Sequence, residues 1–508
     1  MFVRKKRNAS GSVSIQIIDK TDGYKVVQTV GSAGHPDEIA RLWQRGRQIV
    51  HGAKPGQAQL FPVQSEADLT VENAMRQLAN ACIRTVGPEL IFGTLFERLG
   101  FSAIPLSLLR HIVISRLAFP VSKLKTVDYL YRYQGVTVSV DAIYRFLDTL
   151  QERYITQAKD IVYAHTRRIL ETVSVVFYDM TTLYFEAEDE DDLRKIGFSK
   201  DGKFQCPQIM IGLLVGEGGF PIGYDIFKGN TSEGKTLIPT LHRIQKQYGF
   251  EKPIVVADAG LLSHANIASL TGQKYRYILG GRIRNETDEL KRQILERTRK
   301  MKHGDSIVLQ ESDGTRLLVR YCDSRAKKDA YNRKKGLRKL RQKVRTGKLT
   351  KDSINNRGYN KFLHLEGKMA VTIDEKKVRE DAAWDGLKGY VTNTDLSAEK
   401  IVEHYGHLWQ IEKAFRISKT DLRVRPIHHY LKRRIEAHIC IAFVAYALWK
   451  ELERTLQERK IAMSPKRAAE LTQTMYELHY ALPDSGEARR ILLRMDEEQA
   501  ALYEAVRC

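Results

Sequence analysis

Two aspartates in this chain each follow an apolar, β-branched run. The run 173–177 leads through Tyr178 to Asp179, and the run 254–257 leads to Asp258. A buried strand already has its backbone fixed, so a carboxylate at its carboxyl end reaches a cleft at little further entropic cost. Two such groups converging on one cleft repel unless they are protonated or bridged by cations. Magnesium suits such a pair, because it is a hard ion that takes one or two carboxylates and keeps positions for water and phosphate oxygens. Two ions about 3.5–4 Å apart can activate an attacking oxygen and stabilise the leaving oxygen of an in-line displacement. Glu412, inside a helical stretch, is the candidate third carboxylate. The plainer alternative for each aspartate is a turn former or helix N-cap. For Glu412 it is an i,i+4 pair with Arg416.

The elements that must position these residues read as an α/β domain. Residues 173–177, 208–215 and 220–227 read as strands, with Gly216-Glu-Gly-Gly219 as a tight turn before the third. Residues 235–248 have helical spacing through Leu237, Ile238, Leu241, Ile244 and Tyr248. Strands at 254–257 and 275–279 follow, separated by a helix. This order of strands and helices is that of a ribonuclease H-like core. From 285 to 385 the core is interrupted by a β-rich insertion: 306–309 and 315–321 read as strands joined at Ser312-Asp-Gly314, and 369–373 as another. The core resumes with a strand at 389–391 and a helix capped near Ser397. Tyr405, Leu408, Trp409, Glu412, Phe415 and Lys419 recur on that helix at spacings of three and four, which places them on one stripe. A glutamate in a mostly apolar stripe is costly to bury unless a metal or a cation accompanies it.

The flanks are less regular. Residues 13–30 alternate apolar and polar around Lys20-Thr-Asp-Gly23, which predicts a hairpin. Gly52, Pro55, Gly56 and Pro62 mark linkers. A helical, basic stretch follows, in which 126–133, a Gln134-Gly135 break and 139–150 fit either a helix-turn-helix or two helices of a bundle. The expected division is 1–60, an N-terminal β-hairpin region; 66–170, a helical DNA-end-binding domain; 171–284, the first part of the core; 285–385, the insertion with a basic helix; 386–455, the second part of the core; and 456–508, a charged helical tail.

Charge narrows the partner class. Lys and Arg number 83 against 61 Asp and Glu, a net charge of +22. Such a field attracts polyanions, nucleic acid above all, although a membrane surface or a ribosome would also tolerate it. Thirteen Lys or Arg and one acid fall between 325 and 351. Leu337, Leu340 and Val344 leave that segment a narrow apolar stripe, so it reads as a helix with one packed edge and cationic faces. Lys334, Lys335, Arg338, Lys339 and Arg341 are its candidate phosphate contacts, against the blander reading of a solvated charged surface. Trp384 and Trp409 read as core residues or as stacking faces for a displaced base. The acidic cluster 186–192 reads as a solvated loop rather than a metal site. Five scattered cysteines without a Cys-x-x-Cys pair exclude a zinc ribbon and a disulfide framework, which fits a reduced, cytoplasmic setting. The apolar run 437–449 is too short to span a bilayer, and the basic N-terminus has no apolar stretch behind it, so no membrane association is expected.

Three motifs in order carry a resemblance. Tyr178-Asp-Met-Thr-Thr182, Val255-Val-Ala-Asp-Ala-Gly260 and the helix from Tyr405 through Glu412 to Lys419 resemble the DDE transposases of bacterial insertion sequences. Within these, the chain is similar to the group with a Tyr-x2-Arg-x3-Glu-x6-Lys signature. Tyr405, Glu412 and Lys419 fall at the signature spacings, but Leu408 stands where the signature has Arg, and Arg416 is the candidate substitute. Gly229-Asn-Thr-Ser-Glu233 and Arg425-Pro-Ile427 also look like this group. The resemblance covers roughly 170–430, with a looser likeness in the N-terminal hairpin. It implies Asp179, Asp258 and Glu412 as a catalytic triad on two Mg²⁺ ions, with Mn²⁺ able to substitute. It implies an insertion before the glutamate, which agrees with 79 residues from Asp179 to Asp258 but 154 from Asp258 to Glu412. It further implies that Tyr405 and Lys419 contact element-end DNA, Lys419 at a phosphate. The expected activity is hydrolysis at terminal inverted repeats that frees a 3′-hydroxyl for attack on target double-stranded DNA, by at least a homodimer. A nuclease or resolvase without strand transfer, or a basic DNA-binding protein with a decayed site, are the alternatives.

Overall fold

The computed structural model describes all residues except 22, 53–65, 77, 80–81, 250, 311–313, 347–354, 356–357, 367–369, 483–484 and 508. Asp22, Pro55, Gly56, Pro62, Ser312, Asp313, Lys348, Lys351, Met369 and Cys508 therefore lie outside the described residues. The chain divides into two compact units, Met1–Leu78 and Ala79–Cys508.

The first unit holds strands β1 (Phe2–Arg7), β2 (Val13–Asp19) and β3 (Lys25–Ala33) with helices α1 (Pro36–Gly52) and α2 (Glu66–Arg76). The expected hairpin is β2–β3, and β1 adds to it as a third antiparallel strand. Ile15, Ile17 and Ile18 are buried within this unit. Helix α1 lies close on the sheet, since a Cβ at Gly31 would meet the Leu42 side chain at 2.8 Å.

The second unit opens with β4 (Ile83–Thr85) and the helices α3 (Thr94–Leu99), α4 (Ser107–Ala118), α5 (Lys123–Tyr129), α6 (Val140–Thr149) and α7 (Ile155–Leu170). Gly135, at φ 70°, turns the chain between α5 and α6, as the Gln134-Gly135 break predicts. Then come β5 (Val175–Tyr184), β6 (Gln208–Val215), β7 (Pro221–Lys228), α8 (Leu237–Tyr248), β8 (Ile254–Ala257), α9 (His264–Gly272) and β9 (Arg276–Gly281). The next segment contains α10 (Asp288–Thr298), β10 (Ser306–Gln310), β11 (Arg316–Tyr321), the long α11 (Asp323–Arg345), β12 (Leu363–Glu366), β13 (Ala370–Ile373) and α12 (Glu375–Ala382). The chain closes with β14 (Leu387–Thr392), α13 (Ala398–Gly406), α14 (Trp409–Arg416), α15 (Lys432–Glu458), α16 (Pro465–Thr472), β15 (Tyr476–Ala481), β16 (Ala488–Leu492) and α17 (Glu497–Arg507).

Eight strands form one mixed sheet in the order β10-β11-β14-β9-β8-β5-β6-β7. Strands β5, β8 and β9 are parallel, and the remaining pairings are antiparallel. Every residue of β6 is buried. Ile209, Ile211, Leu213 and Val215 enter one apolar layer, while Met210 and Leu214 enter the other. This is why an unbroken apolar run folds here as a strand rather than a helix: both faces of the sheet are covered. Helix α15 forms the centre of one layer and buries the run 437–449. Among the described residues no helix is long and apolar enough to cross a membrane.

Three expectations are corrected. Asp179 is not at a strand end, because β5 continues to Tyr184. Pairing with β6 extends to Tyr184 opposite Gln208, and the β-branched Thr181 and Thr182 are buried in the strand without being apolar. Within the insertion, β10 and β11 join the main sheet through β14, whereas β12 and β13 pair with each other. The stripe helix is two helices, with His407 and Leu408 between α13 and α14. The C-terminal tail is not all helical, since β15 and β16 form a hairpin that pairs with β4.

Candidate active site

Asp179 and Asp258 are placed by neighbouring parallel strands. Tyr178 lies opposite Ala257, so Asp179 on β5 and Asp258, one residue past the end of β8, each follow the last paired position of strands that run about 4.8 Å apart. Tyr178 and Ala257 enter the layer of α8 and α9. Alternation then turns the aspartates toward the opposite layer, the one that contains α13, α14 and α15. Neither aspartate serves the plainer structural role. Asp179 lies inside a strand, and Asp258, although it precedes a short 3₁₀ turn, makes no capping hydrogen bond.

The Asp258 carboxylate instead accepts a hydrogen bond from the Tyr405 hydroxyl at 2.8 Å. Burial and the adjacent Asp258 hold the Tyr405 phenol well above its usual range, so it stays a donor. Ser397 caps α13 by accepting from the Lys400 amide, as expected, and so starts the helix that carries Tyr405. Gly280 on β9 leaves the space: a Cβ there would lie 2.5 Å from the Tyr405 hydroxyl and 2.8 Å from the Ala259 amide nitrogen.

Asp179 is pushed up by burial, pulled back by Lys200, and raised further by Glu233 and Asp258. The Lys200 ammonium stands 3.6 Å from Asp179 and 2.8 Å from Glu233, and donates to the Met180 carbonyl at 2.6 Å. A second ammonium, Lys388 on β14, lies 4.1 Å above the Tyr405 ring. Burial and Arg325 push Lys388 down, while Asp258 and Glu412 hold it up. Glu412 is exposed on α14, whose Ile411 and Ala414 are buried beneath it. No ion pair joins it to Arg416 among the described residues. The structure thus brings Asp179 and Asp258 side by side and sets Glu412 on the covering helix, within the field of the same lysine as Asp258. It does not close the three on one point, and among the described residues no three His, Cys, Asp or Glu converge tightly enough to hold a metal ion.

The other expected residues fall in three places. Lys419 is largely buried and pairs with Asp201 at 3.1 Å, beside Arg425, which reaches the same carboxylate. Arg416 is exposed. On α11, Lys334, Lys335, Arg338, Lys339 and Arg341 are all exposed, with Arg341 3.0 Å from Glu375. Leu337 and Leu340 are buried against Phe362 and Leu363, the narrow apolar edge that the spacing predicts. Trp384 is core, whereas Trp409 is 53% exposed. In the acidic loop, Asp191 accepts from the Leu193 and Arg194 amides and pairs with Arg194, a structural role. Lys200, Glu233, Lys388 and Gly280 were not assigned roles from sequence. Glu233 closes the Gly229-Asn-Thr-Ser-Glu233 motif, so it alone carried a signal.

Two adjacent carboxylates, Asp179 half-buried and Asp258 exposed, one tied by a phenol and both faced by ammonium groups, form a hard-oxygen donor set that suits a divalent ion and phosphate chemistry. Comparison with known proteins points the same way. Residues 173–448 match the family model described as a transposase DDE domain, which is more than half of the 508-residue chain. The chain is 29% identical over 168 residues to the transposase for insertion sequence element IS231E of Bacillus thuringiensis subsp. finitimus, covering 31% of this chain and 34% of that one. It is 28% identical over 178 residues to the transposase for insertion sequence element IS231B of Bacillus thuringiensis subsp. berliner, covering 33% and 36%. The matches span about a third of the length of these relatives. A piggyBac transposase synaptic complex with hairpin DNA, solved by cryo-electron microscopy, aligns over 76% of each chain at 9% identity and a TM-score of 0.40. With Asp179, Asp258 and Glu412 all inside the matched span, the chain belongs to the transposase DDE domain family.

Proposed function

We propose that this chain is an insertion-sequence transposase that binds the ends of its own element, cleaves a strand there and joins the freed 3′-hydroxyl to target DNA. The observation that carries this reading is that Asp179 and Asp258 each directly follow the last paired residues, Tyr178 and Ala257, of two parallel strands, in a chain of this family. The strand order β7-β6-β5-β8-β9, with β6 alone antiparallel to the other four, supports a ribonuclease H-like core.

Asp179 and Asp258 fit a hard divalent ion by donor type, and the upward push on Asp179 from its neighbouring carboxylates is relieved by a cation at this place. Glu412 would complete the set when α14 closes on bound DNA. Bound there, Mg²⁺ or Mn²⁺, two ions in all, supplies Lewis acidity at the scissile phosphodiester. Tyr405 orients Asp258 through its hydroxyl, and Lys200 and Lys388 balance the carboxylates until substrate arrives. Arg416, Lys419 and the cations of α11 take DNA phosphates, with Lys419 exchanging Asp201 for that contact. Residues 66–170 supply end recognition, and two copies of the chain hold a pair of ends. This chemistry belongs with a cytoplasmic, nucleoid-associated protein.

The test is a strand-transfer reaction with labelled element-end duplex, Mg²⁺ and a target plasmid. Joined product lost in Asp258→Ala supports the proposal. Cleavage without joining assigns the chain to the nuclease reading, and cleavage that survives in Asp258→Ala removes the site assignment.

A further inference from the structure

Away from the carboxylates, an open cavity of about 430 Å³ lies between α4, α5 and α6 on one side and residues 423–438 on the other. Arg116, Lys123, Lys125, Arg423, Arg425, His428, His429 and His438 all line it, and among the described residues no Asp or Glu does. Several of these groups are deeply placed: Arg116 is 7% exposed, His429 7% and His438 6%. Arg116 donates to the carbonyls of Leu422 and Arg423 at 3.3 and 3.2 Å, so its contacts are with neutral oxygens. The His438 Nε2 faces the Val424 carbonyl at 3.0 Å, while its Nδ1 is buried without a hydrogen-bond partner.

Such a cluster is expensive. Burial pushes the Arg116 guanidinium down to about 10, and burial with the Lys123 and Arg116 charges pushes His429 down to about 3. Burial and Arg116 likewise push Lys123 well below its usual range. Cations gathered out of water without a counter-charge destabilise the fold, and apolar side chains of similar volume would serve a core better. What relieves the arrangement is an anion. Carboxylate and phosphate both satisfy guanidinium and ammonium donors, but a cavity of this size and multiplicity of charge matches a tetrahedral, multiply accepting group. The Arg425 side chain that lines the cavity also reaches Asp201, the residue after Lys200, so this wall is joined to the loop that serves Asp179.

We infer that this cavity is a second DNA contact, a seat for a backbone phosphate of a strand whose scissile bond lies at Asp179 and Asp258. The inference rests on the transposase reading for the identity of the polyanion. Arg116 and His438 form the floor, and Lys123, Lys125 and Arg423 close over the phosphate from the rim.

The experiment is equilibrium binding of the full chain to a fluorescein-labelled DNA duplex, read by anisotropy at several salt concentrations. Lys123→Gln/Arg423→Gln weakens binding about tenfold and lowers the slope of log K against log salt by about 1–2. The control Lys246→Gln/Lys300→Gln removes the same charge from exposed sites elsewhere and changes affinity by less than about twofold. The charge-keeping Lys123→Arg/Arg423→Lys returns affinity to near wild type. If the glutamine pair does not fold, Lys125→Gln on the exposed rim carries the test with a loss of several-fold. A rim variant that binds no more weakly than the control overturns the inference. Cleavage that survives in Asp258→Ala, with DNA affinity still lost in the rim variant, overturns the active-site reading and leaves the cavity standing.

Discussion

The carboxylate cleft and the cationic cavity solve opposite halves of one electrostatic problem. Each gathers titratable groups of one charge type within the same unit. In the cleft the chain supplies its own counter-ions, since Lys200 and Lys388 face Asp179, Asp258, Glu233 and Glu412. In the cavity no carboxylate lines the wall among the described residues, Arg425 reaches Asp201 outside it, and burial holds Arg116, His429 and His438 below their usual ranges. The cleft is balanced before any ligand arrives. The cavity is short of negative charge until one does. A self-neutralised site suits chemistry that is switched on by assembly, whereas an unbalanced one suits affinity.

The largest effect that separates the two regions is on catalysis. Asp258→Asn should lower single-turnover cleavage by about a thousandfold, roughly 4 kcal/mol of barrier, with DNA affinity unchanged. The rim pair of the cavity should do the reverse, and equal losses of affinity in both variants would dissolve the distinction. Next comes Gly280→Ala, whose Cβ would press on the Tyr405 hydroxyl and the Ala259 amide. It should cost about a hundredfold in cleavage through misplacement of the site and about 1–3 kcal/mol of unfolding free energy by urea titration. Wild-type cleavage in this variant would mean that the ring has room to move.

Tyr405→Phe removes only the hydroxyl on Asp258 and should cost about tenfold in cleavage, in keeping with one hydrogen bond to a charged group. A loss confined to DNA affinity would make Tyr405 a DNA contact first. The smallest effect is a shift in pH. Burial raises the Asp179 carboxyl and Lys200 pulls it back, so Lys200→Met raises it further and moves the acidic limb of the cleavage profile to higher pH. The same sign holds for stability. A raised carboxyl favours the protonated native state, so the stability present below the unfolded value is lost as pH rises through the folded one. Urea midpoints for Lys200→Met should therefore decline over a window that extends to higher pH than in wild type. An acidic limb that stays in place would mean that Lys200 serves Glu233 alone.

Much of the core was legible because its strands are buried on both faces. Residues 208–215 and 254–257 were read as strands with the same bounds that the structure has, since an unbroken apolar run with turn signals at its ends has few other uses. The extension of β5 past Asp179 was not legible. Thr181 and Thr182 belong to the strand through pairing with β6, and pairing leaves no local pattern. The break at His407 and Leu408 was hidden because both helices keep spacings of three and four across it. The hairpin β15–β16 pairs with β4, almost four hundred residues away in the chain, which no local reading reaches. For the site, the aspartates showed themselves by ending apolar runs. Lys200 and Lys388 come from a loop and from the start of a strand where a lysine is unremarkable, so only the folded chain assigns them.

Helix α11 grows directly from the end of β11, and Arg333 in its middle grips Asp385 with two hydrogen bonds of 2.5 Å and lies 3.5 Å from Asp381. Only Gly386 and Leu387 separate Asp385 from Lys388. The basic helix is thus a boom bolted at its root and midpoint, with no slack hinge at either fixing. Two residues link its midpoint fixing to the ammonium that stands over Tyr405. On the proposed function, a pull by DNA on the outer faces of α11 would bear on the residues beside Asp258.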